Sequence, residues 1–189
     1  MTAALTDPPP SGEWTTDDLD SLPDDGLRRE LLDGALLMSP SPTRLHQTIA
    51  GRLMVALEAS CPAEWDVTQA VEIRISRKRA FIPDVLVARL DAAVHNPSWY
   101  LPEDVVLAVE IVSPGSTSMD RWLKPGAYAE AGIPFFWRVE IEGGLTVHAH
   151  RLDPSSVAYE ETDVFTKELT VTEPWPITLS LPTLLPRQL

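Results

Sequence analysis

The chain has 189 residues, 44% of them hydrophobic and 23% charged, which predicts one globular domain with a sizeable core. Its net charge of −13 argues against broad nonspecific binding to nucleic acid, which needs a positive face, but is compatible with metal binding. No apolar run reaches the roughly 20 residues of a membrane span, no secretory signal is recognisable, and the single cysteine, Cys61, cannot form an intramolecular disulfide. We therefore expect a cytoplasmic protein without a membrane partner.

The first third of the chain carries clear signals for two helices and a hairpin. Residues 1–12, rich in proline, are expected to form a mobile tail, and a single domain is expected to span residues 13–189. Residues 15–21 have the signals of a short capped helix. In RRELLDGALLMSP the dipeptide Asp33-Gly34 between two short apolar strands predicts a β-hairpin. Apolar residues at helical spacing predict a helix over residues 43–60.

Further along the chain, extended and helical patterns alternate. VTQAVEIRI is typical of a strand, the turn SRKRA leads into a second strand, FIPDVLVARL, and residues 91–104 are typical of a loop before the strand VVLAVEIV. A helix is predicted over residues 117–131, closed by Gly132, and further strands follow it. This order predicts an α+β domain with a central mixed β-sheet flanked by helices and an N-terminal β-hairpin.

Glu110 is unusual because it lies inside the apolar strand VVLAVEIV. Burying a bare carboxylate there would destabilise the fold by several kcal/mol. Pro97 lies halfway in sequence between Glu110 and Asp84, so two strands that run antiparallel about the loop would place these acids nearly opposite, with Cβ atoms about 5 Å apart. A divalent cation between them would turn repulsion into coordination. The alternative is that Asp84 caps its strand after Pro83 while Glu110 pairs with an arginine, and spacing alone leaves both possibilities open.

Several ordered blocks carry a resemblance to a known family. They are RELLDG, His46 in the following helix, IPDVLVA, VEIVSPGS, the spacing of Asp120, Lys124 and Tyr128, and AGIPFFWRVE. Together they resemble the Uma-two family of the PD-(D/E)XK superfamily over roughly residues 13–185. The resemblance implies a restriction-endonuclease-like fold and endonuclease activity.

The same resemblance implies roles for particular residues. Asp84 and Glu110 match the two metal-binding acids, for magnesium or manganese, and Ile111 would lend the metal its backbone carbonyl. The third position of the E-x-K element holds valine, and Lys124 in the next helix matches the missing lysine. Glu30 matches an acid on an early element beside the metal. Two carboxylates, a carbonyl and an ammonium suit phosphodiester hydrolysis, because the metal activates water and both cations offset charge on the phosphate.

For five of these residues a structural explanation competes with a functional one. The alternatives are a solvated lysine for Lys124, a capping box from Thr117 for Asp120, an ion pair with Arg28 or Arg29 for Glu30, a partly buried histidine for His46 and packing for Tyr128. Pro125-Gly126 is awkward inside a helix, so the helix is either kinked there or begins near Lys124.

The stretch RISRKR is the strongest positive cluster in the sequence. Its residues Arg77, Lys78 and Arg79 lie just upstream of Asp84, at a predicted turn. They are either a solvated turn or a phosphate contact beside the metal.

These residues favour a metal-dependent endonuclease that hydrolyses phosphodiester bonds in DNA, acting as a homodimer because cutting a duplex usually needs two sites. Two other functions remain open: a non-catalytic binding or regulatory protein on a nuclease-like scaffold, and a metal-stabilised structural dimer without a nucleic-acid partner.

Overall fold

The structure of the protein is a computed structural model that describes residues 8–23, 25–39, 41–95 and 98–187. Most of the predicted mobile tail falls on residues 1–7, outside the described residues, and so does Pro97 in the loop between the strands of the two acids. Within the described ranges, no helix has both the length and the apolar character needed to cross a membrane.

The helices and strands follow one another in mixed order along the chain. They are α1 Thr16–Asp20, β1 Arg28–Leu32, β2 Ala35–Ser39, α2 Arg44–Glu58, β3 Trp65–Thr68, β4 Glu72–Ser76, β5 Arg79–Phe81, β6 Val85–Arg89, α3 Ala92–His95, β7 Trp99–Tyr100, β8 Val105–Ile111, α4 Lys124–Glu130, β9 Phe135–Glu140, β10 Thr146–Asp153, β11 Ala158–Phe165, β12 Glu168–Val171 and β13 Ile177–Ser180. A π-helical turn, Met119–Leu123, runs directly into α4.

The central sheet has the strand order β11-β10-β9-β8-β6-β3 and is mixed, because β8 and β9 run parallel while the other pairings are antiparallel. Helix α2 covers one face, where Leu53 packs in a cluster with Val109 and Trp137. Helix α4 belongs to the other face, where Tyr128 packs in a cluster with Phe136. The predicted α+β fold with a mixed sheet between helices is confirmed.

A second sheet, with the strand order β2-β1-β5-β4-β7, was not predicted. The segments VTQAVEIRI and FIPDVLVARL were each interpreted as one strand, and that interpretation is wrong because the chain passes between the two sheets within each of them. The first is interrupted at Ala70, whose φ is 55°, and the second at Pro83, which cannot donate to a ladder. Residues 91–104 are not wholly loop either, since α3, β7 and a 3₁₀ turn lie within them.

The predicted N-terminal hairpin is present as β1 and β2 of this second sheet, with Leu32 paired to Ala35. Its two turn residues, Asp33 and Gly34, have φ angles of 51° and 84°, as a type I′ turn requires. The hairpin places Glu30, one of the acids predicted for the site, at a buried position of β1.

Replacing Gly34 with alanine is expected to destabilise the protein by about 1–2 kcal/mol, because alanine resists a left-handed conformation. The new Cβ would also lie 3.1 Å from the Cβ of Glu13. The matched control is Gly51→Ala within α2, where a Cβ meets nothing within 4 Å and where a gain of roughly 0.5–1 kcal/mol is expected. Urea unfolding of both variants checks this, and midpoints that move in the same direction would contradict it.

Candidate active site

Asp84 and Glu110 come together at the ends of two neighbouring antiparallel strands. The paired register of β6 and β8 extends to Val85 opposite Val109, so the two acids are the next residues along each strand. The backbone N–H of Asp84 donates to the Val109 carbonyl at 3.0 Å. The predicted antiparallel arrangement about the intervening loop is therefore confirmed.

Both acids line a cavity of about 290 Å³. Its lining residues come from β1, from the end of β2 and the segment that leads into α2, from the start of α2, from the ends of β6 and β8, and from the turn that leads into α4. The ionisable side chains that line it are Arg28, His46, Asp84, Glu110, Asp120 and Lys124, and loop residues 113–116 complete one wall. Ile111 also lines the cavity.

Asp84 is held in place through both of its carboxylate oxygens, and only 6% of the residue is exposed. Arg28 Nη1 donates to Oδ1 at 3.0 Å, while Oδ2 accepts the backbone N–H of Ile111 at 2.8 Å and lies 3.1 Å from His46 Nε2. Burial alone would raise the pKa of Asp84, but the His46 hydrogen bond and the Arg28 charge outweigh it and lower the pKa to about 2. Asp84 is therefore a fixed negative charge in the cavity.

Glu110 is the most deeply buried acid of the site, with 1% of the residue exposed. Its carboxylate accepts a hydrogen bond of 2.7 Å from the Tyr128 hydroxyl and one of 3.2 Å from Lys124 Nζ. Burial raises the pKa of Glu110 well above its usual value, and although Lys124 opposes this, the charges of Asp84 and Asp120 add to it. The buried end of β8 accepts this acid because α4 brings both a cation and a hydroxyl to it.

Lys124 is also buried, with 3% of the residue exposed, and its ammonium lies among three acids. Nζ is 2.9 Å from Glu30, 3.2 Å from Glu110 and 3.8 Å from Asp120. Burial alone would lower the pKa of Lys124, but these carboxylates outweigh it and raise the pKa. The site therefore contains a permanent ammonium, and Lys124 is not a solvated helix lysine.

The junction before Pro125 explains how Lys124 reaches this position. The backbone N–H of Lys124 donates to the Met119 carbonyl five residues earlier, which closes the π-helical turn. Helix α4 then begins at Lys124 with Pro125 in its first turn, where proline has no helical hydrogen bond to lose. Residues 117–130 are helical without a break, close to the predicted helix over residues 117–131. The irregularity near Pro125-Gly126 is the π-helical turn, and only the regular α-helix starts at Lys124.

Glu30 enters the site from the second sheet. Its Oε1 accepts the backbone N–H of Ile82 at 2.8 Å and lies 2.9 Å from Lys124 Nζ. Arg28 Nη2 is 4.0 Å away from the same oxygen. The hairpin alternative, in which Glu30 pairs with Arg28 or Arg29, is thus at most a secondary contact.

The interpretation of Asp120 as a capping residue is wrong. The hydroxyl of Thr117 donates to the Ser113 carbonyl at 3.1 Å instead of capping a helix. Asp120 is buried and accepts a hydrogen bond from the Ser116 hydroxyl. Burial raises the pKa of Asp120, although Lys124 opposes that shift. Its spacing of four residues from Lys124 was the signal that both point to one side of the turn.

Sequence reasoning also missed Arg28, the arginine that partners Asp84. Arg28 and Glu30 are two positions apart on β1 and therefore share one face of the strand. That alternation was the available signal, but the role of Arg28 depends on the contact between the two sheets, which was not predicted. Tyr128 and His46 are both buried and both bond the paired acids, so the packing explanation accounts for only part of their role.

Comparisons with known proteins establish the family and the fold of the chain. Residues 16–184 match the model of the family Uma2, described as "Putative restriction endonuclease". The chain belongs to the Uma2 family. The fold also matches the crystal structure of "a putative nuclease belonging to DUF820" from Anabaena variabilis, with a TM-score of 0.70, 18% identity, and coverage of 90% of this chain and 96% of that one. At that identity the likeness shows the fold, and it confirms the restriction-endonuclease-like core. A search of curated proteins found no match.

The site of this Uma2 protein carries more negative than positive charge. Its carboxylates are Glu30, Asp84, Glu110 and Asp120, and its permanent cations are Arg28 and Lys124. Two of those acids, Glu110 and Asp120, have raised pKa values largely because they are buried with too few cations. One divalent cation would balance the remaining charge.

The available donors fit such an ion. Asp84, Glu110 and the carbonyl of Ile111 would supply oxygen atoms, which magnesium and manganese prefer. Across the described ranges, no group of three or more histidine, cysteine or acidic side chains is arranged to hold a metal. The predicted set contains only two such side chains, so that finding does not exclude it.

The structure does not bring the basic cluster of Arg77, Lys78 and Arg79 to the cavity. Each residue is instead tied to acids near the hairpin. The partners are Asp17 for Arg77, Glu13 for Lys78, and Asp33 and Glu130 for Arg79. None of the three lines the cavity. In this Uma2 chain the predicted phosphate contact beside the metal is therefore without geometric support.

Proposed function

We propose that this Uma2 protein is a divalent-metal-dependent endonuclease that hydrolyses phosphodiester bonds in DNA. The observation that carries the proposal is the buried group at the strand ends: Asp84 beside Glu110, with Lys124 Nζ 3.2 Å from Glu110, all lining one cavity. Buried charge of this kind is costly for stability, and it is characteristic of sites that perform chemistry.

The residues have distinct tasks. Asp84, Glu110 and the Ile111 carbonyl would hold magnesium or manganese, and a bound ion of this type supplies an activated water and offsets charge on the phosphate. Lys124 stabilises negative charge that builds on the phosphate oxygens, as a cation rather than as a base, because its pKa is raised. Glu30 holds the ammonium in place at 2.9 Å.

The family description, and no surface of this chain, supports DNA as the substrate. A homodimer as the working form is an expectation from the chemistry of duplex cleavage. Cleaving both strands of a duplex calls for two sites, so a pair of chains is the simplest arrangement. Sedimentation of the protein with and without a DNA duplex tests this.

The second candidate is a non-catalytic binding or regulatory protein on the same scaffold. It is favoured by the net charge of −13 and by the ion pairs that occupy Arg77, Lys78 and Arg79. In that case a metal would stabilise the protein without any cleavage.

Manganese is expected to raise the melting temperature of the wild-type protein. At 100 times the dissociation constant, binding stabilises the native state by about 2.7 kcal/mol, roughly 5–10 °C for a chain of this size. In Asp84→Asn the shift is expected to vanish, whereas the control Asp163→Asn, on exposed strand β11, should keep it. Melting curves in manganese, magnesium and chelator measure this, and a wild-type curve that no metal moves would end the metal proposal.

Cleavage assays then separate the two candidates. Supercoiled plasmid, linear duplex and single-stranded RNA are incubated with manganese over a range of salt concentrations. A melting shift together with cleavage that Asp84→Asn abolishes supports the endonuclease. A melting shift without cleavage of any substrate supports the non-catalytic scaffold.

A further inference from the structure

Arg28 occupies the one oxygen of Asp84 that has no other partner among the described residues. Oδ2 is already engaged by His46 and by the backbone N–H of Ile111, while Oδ1 accepts only Arg28 Nη1, at 3.0 Å. A metal ion that binds Oδ1 of Asp84 would therefore have to displace Arg28. The carboxylate would keep its orientation without Arg28, because the two bonds to Oδ2 fix it.

Apart from that contact, the guanidinium of Arg28 makes one hydrogen bond among the described residues. Its side chain is 23% exposed and lines the cavity, in contrast to Lys124 beside it, which is almost fully enclosed. Nη2 donates to the Ile82 carbonyl, and Glu30 is 4.0 Å away. Nε is buried, and within the described ranges it has no hydrogen-bond partner. Moving away from Asp84 would therefore break one of the two hydrogen bonds of the guanidinium.

We propose that Arg28 is a built-in counter-ion that competes with the metal for Asp84 and turns to the substrate phosphate once the metal is bound. This inference rests on the proposed function, and it adds a residue that neither the sequence motif nor the family match assigns. Arg28 thus lowers the affinity of Asp84 for the metal and, once displaced, binds the phosphate.

Electrostatics favours this exchange. Burial alone would lower the pKa of Arg28, but the carboxylates of Asp84, Glu110 and Glu30 outweigh it, so the guanidinium stays charged. A divalent ion on Asp84 would repel that charge at close range, and repulsion is stronger at a partly buried site than in bulk water. A phosphate diester offers the displaced guanidinium two oxygens that match its planar fork.

The test compares Arg28→Met with Arg29→Met, the same substitution one residue along β1. Arg29 pairs with Asp25 at 2.6 Å and does not line the cavity, so it is a matched control. The manganese dissociation constant is measured by electron paramagnetic resonance of the free ion. Arg28→Met is expected to bind manganese about tenfold more tightly, because it lacks a competing contact of about 1.4 kcal/mol. Arg29→Met is expected to bind manganese as the wild type does.

Binding of a DNA oligonucleotide, with calcium as the ion, is measured on the same variants by fluorescence anisotropy. Arg28→Met is expected to weaken it at least about tenfold, since a charged hydrogen bond is lost. Manganese binding that is unchanged or weaker in Arg28→Met would overturn the proposal, because it would mean that Arg28 organises Asp84 for the metal. Oligonucleotide binding that is unchanged would equally overturn it.

If Arg28→Met does not fold, the wild-type protein still decides the question. Magnesium is diamagnetic, so the arginine side-chain ¹⁵N signals can be followed by NMR during titration. The Arg28 signal is expected to move and to show faster rotation of the guanidinium as magnesium binds, and a static signal would contradict the exchange. If the wild type binds no metal at all, the proposed function fails; if it binds metal while Arg28 stays on Asp84, only this inference fails.

Discussion

Replacing Lys124 with methionine is expected to lower the rate of phosphodiester hydrolysis at least about 10²–10³-fold, the usual cost of removing one group that stabilises transition-state charge. The Lys124 ammonium lies beside Glu110 and stays charged. Methionine keeps most of the volume of the lysine side chain but removes its charge. The loss is expected in the rate constant rather than in metal affinity. Single-turnover cleavage with saturating manganese measures it.

The same substitution separates a catalytic from a purely structural lysine. Lys124→Met is also expected to destabilise the metal-free protein by about 3–5 kcal/mol, because the buried acids Glu30, Glu110 and Asp120 lose their shared cation. Manganese should recover part of that stability while activity stays low. Lys167→Met, at an exposed position, is the control for the loss of one lysine. A folded Lys124→Met that cleaves at the wild-type rate would remove Lys124 from the mechanism.

Local signals in the sequence were sufficient wherever one short segment decides the structure. The Asp33-Gly34 turn, with both φ angles positive, follows from the conformations that only such residues accept readily. The start of α2 at Thr43 follows from its side chain, which accepts the N–H of His46. The antiparallel approach of Asp84 and Glu110 needed only two strands and the loop between them.

The arrangement of two sheets could not be predicted from local signals in the sequence. Alternation along FIPDVLVARL shows that the chain is extended, but it does not show that β5 and β6 belong to different sheets. That division brings Glu30 and Arg28 to the ends of β6 and β8. Residues whose role depends on it, Arg28 above all, were therefore missed.

Asp120 was misjudged for a different physical reason. The pattern T-S-M-D fits a capping box, and the alternative depends on a π-helical turn that no residue type specifies locally. The turn is stabilised by its surroundings, the buried Lys124 and its acids. The residues that favour it therefore lie in several segments of the chain and not in the turn itself. Family resemblance supplied the spacing of Asp120, Lys124 and Tyr128 but not what each side chain contacts.

Replacing Glu110 with glutamine is not expected to destabilise the metal-free protein, in contrast to Lys124→Met. The loss of hydrolysis is expected to be as large as in Lys124→Met or larger. The amide oxygen can still accept the Tyr128 hydroxyl, and one of the crowded carboxylates loses its charge, so the metal-free protein should melt at the same temperature or slightly higher. The manganese-dependent shift should disappear, and hydrolysis should fall at least about 10³-fold. Glu160→Gln, at an exposed position of β11, should change neither property.

The double variant Glu110→Gln, Lys124→Met measures the coupling free energy between these two side chains. If the carboxylates and the ammonium are one coupled group, removing Glu110 in the Lys124→Met background should recover about 0.5–3 kcal/mol of the lost stability, the usual range of coupling between residues in contact. Urea unfolding of the four proteins in chelator measures this. Strict additivity would mean that Lys124 and Glu110 do not share the charge balance on which the proposed metal site depends.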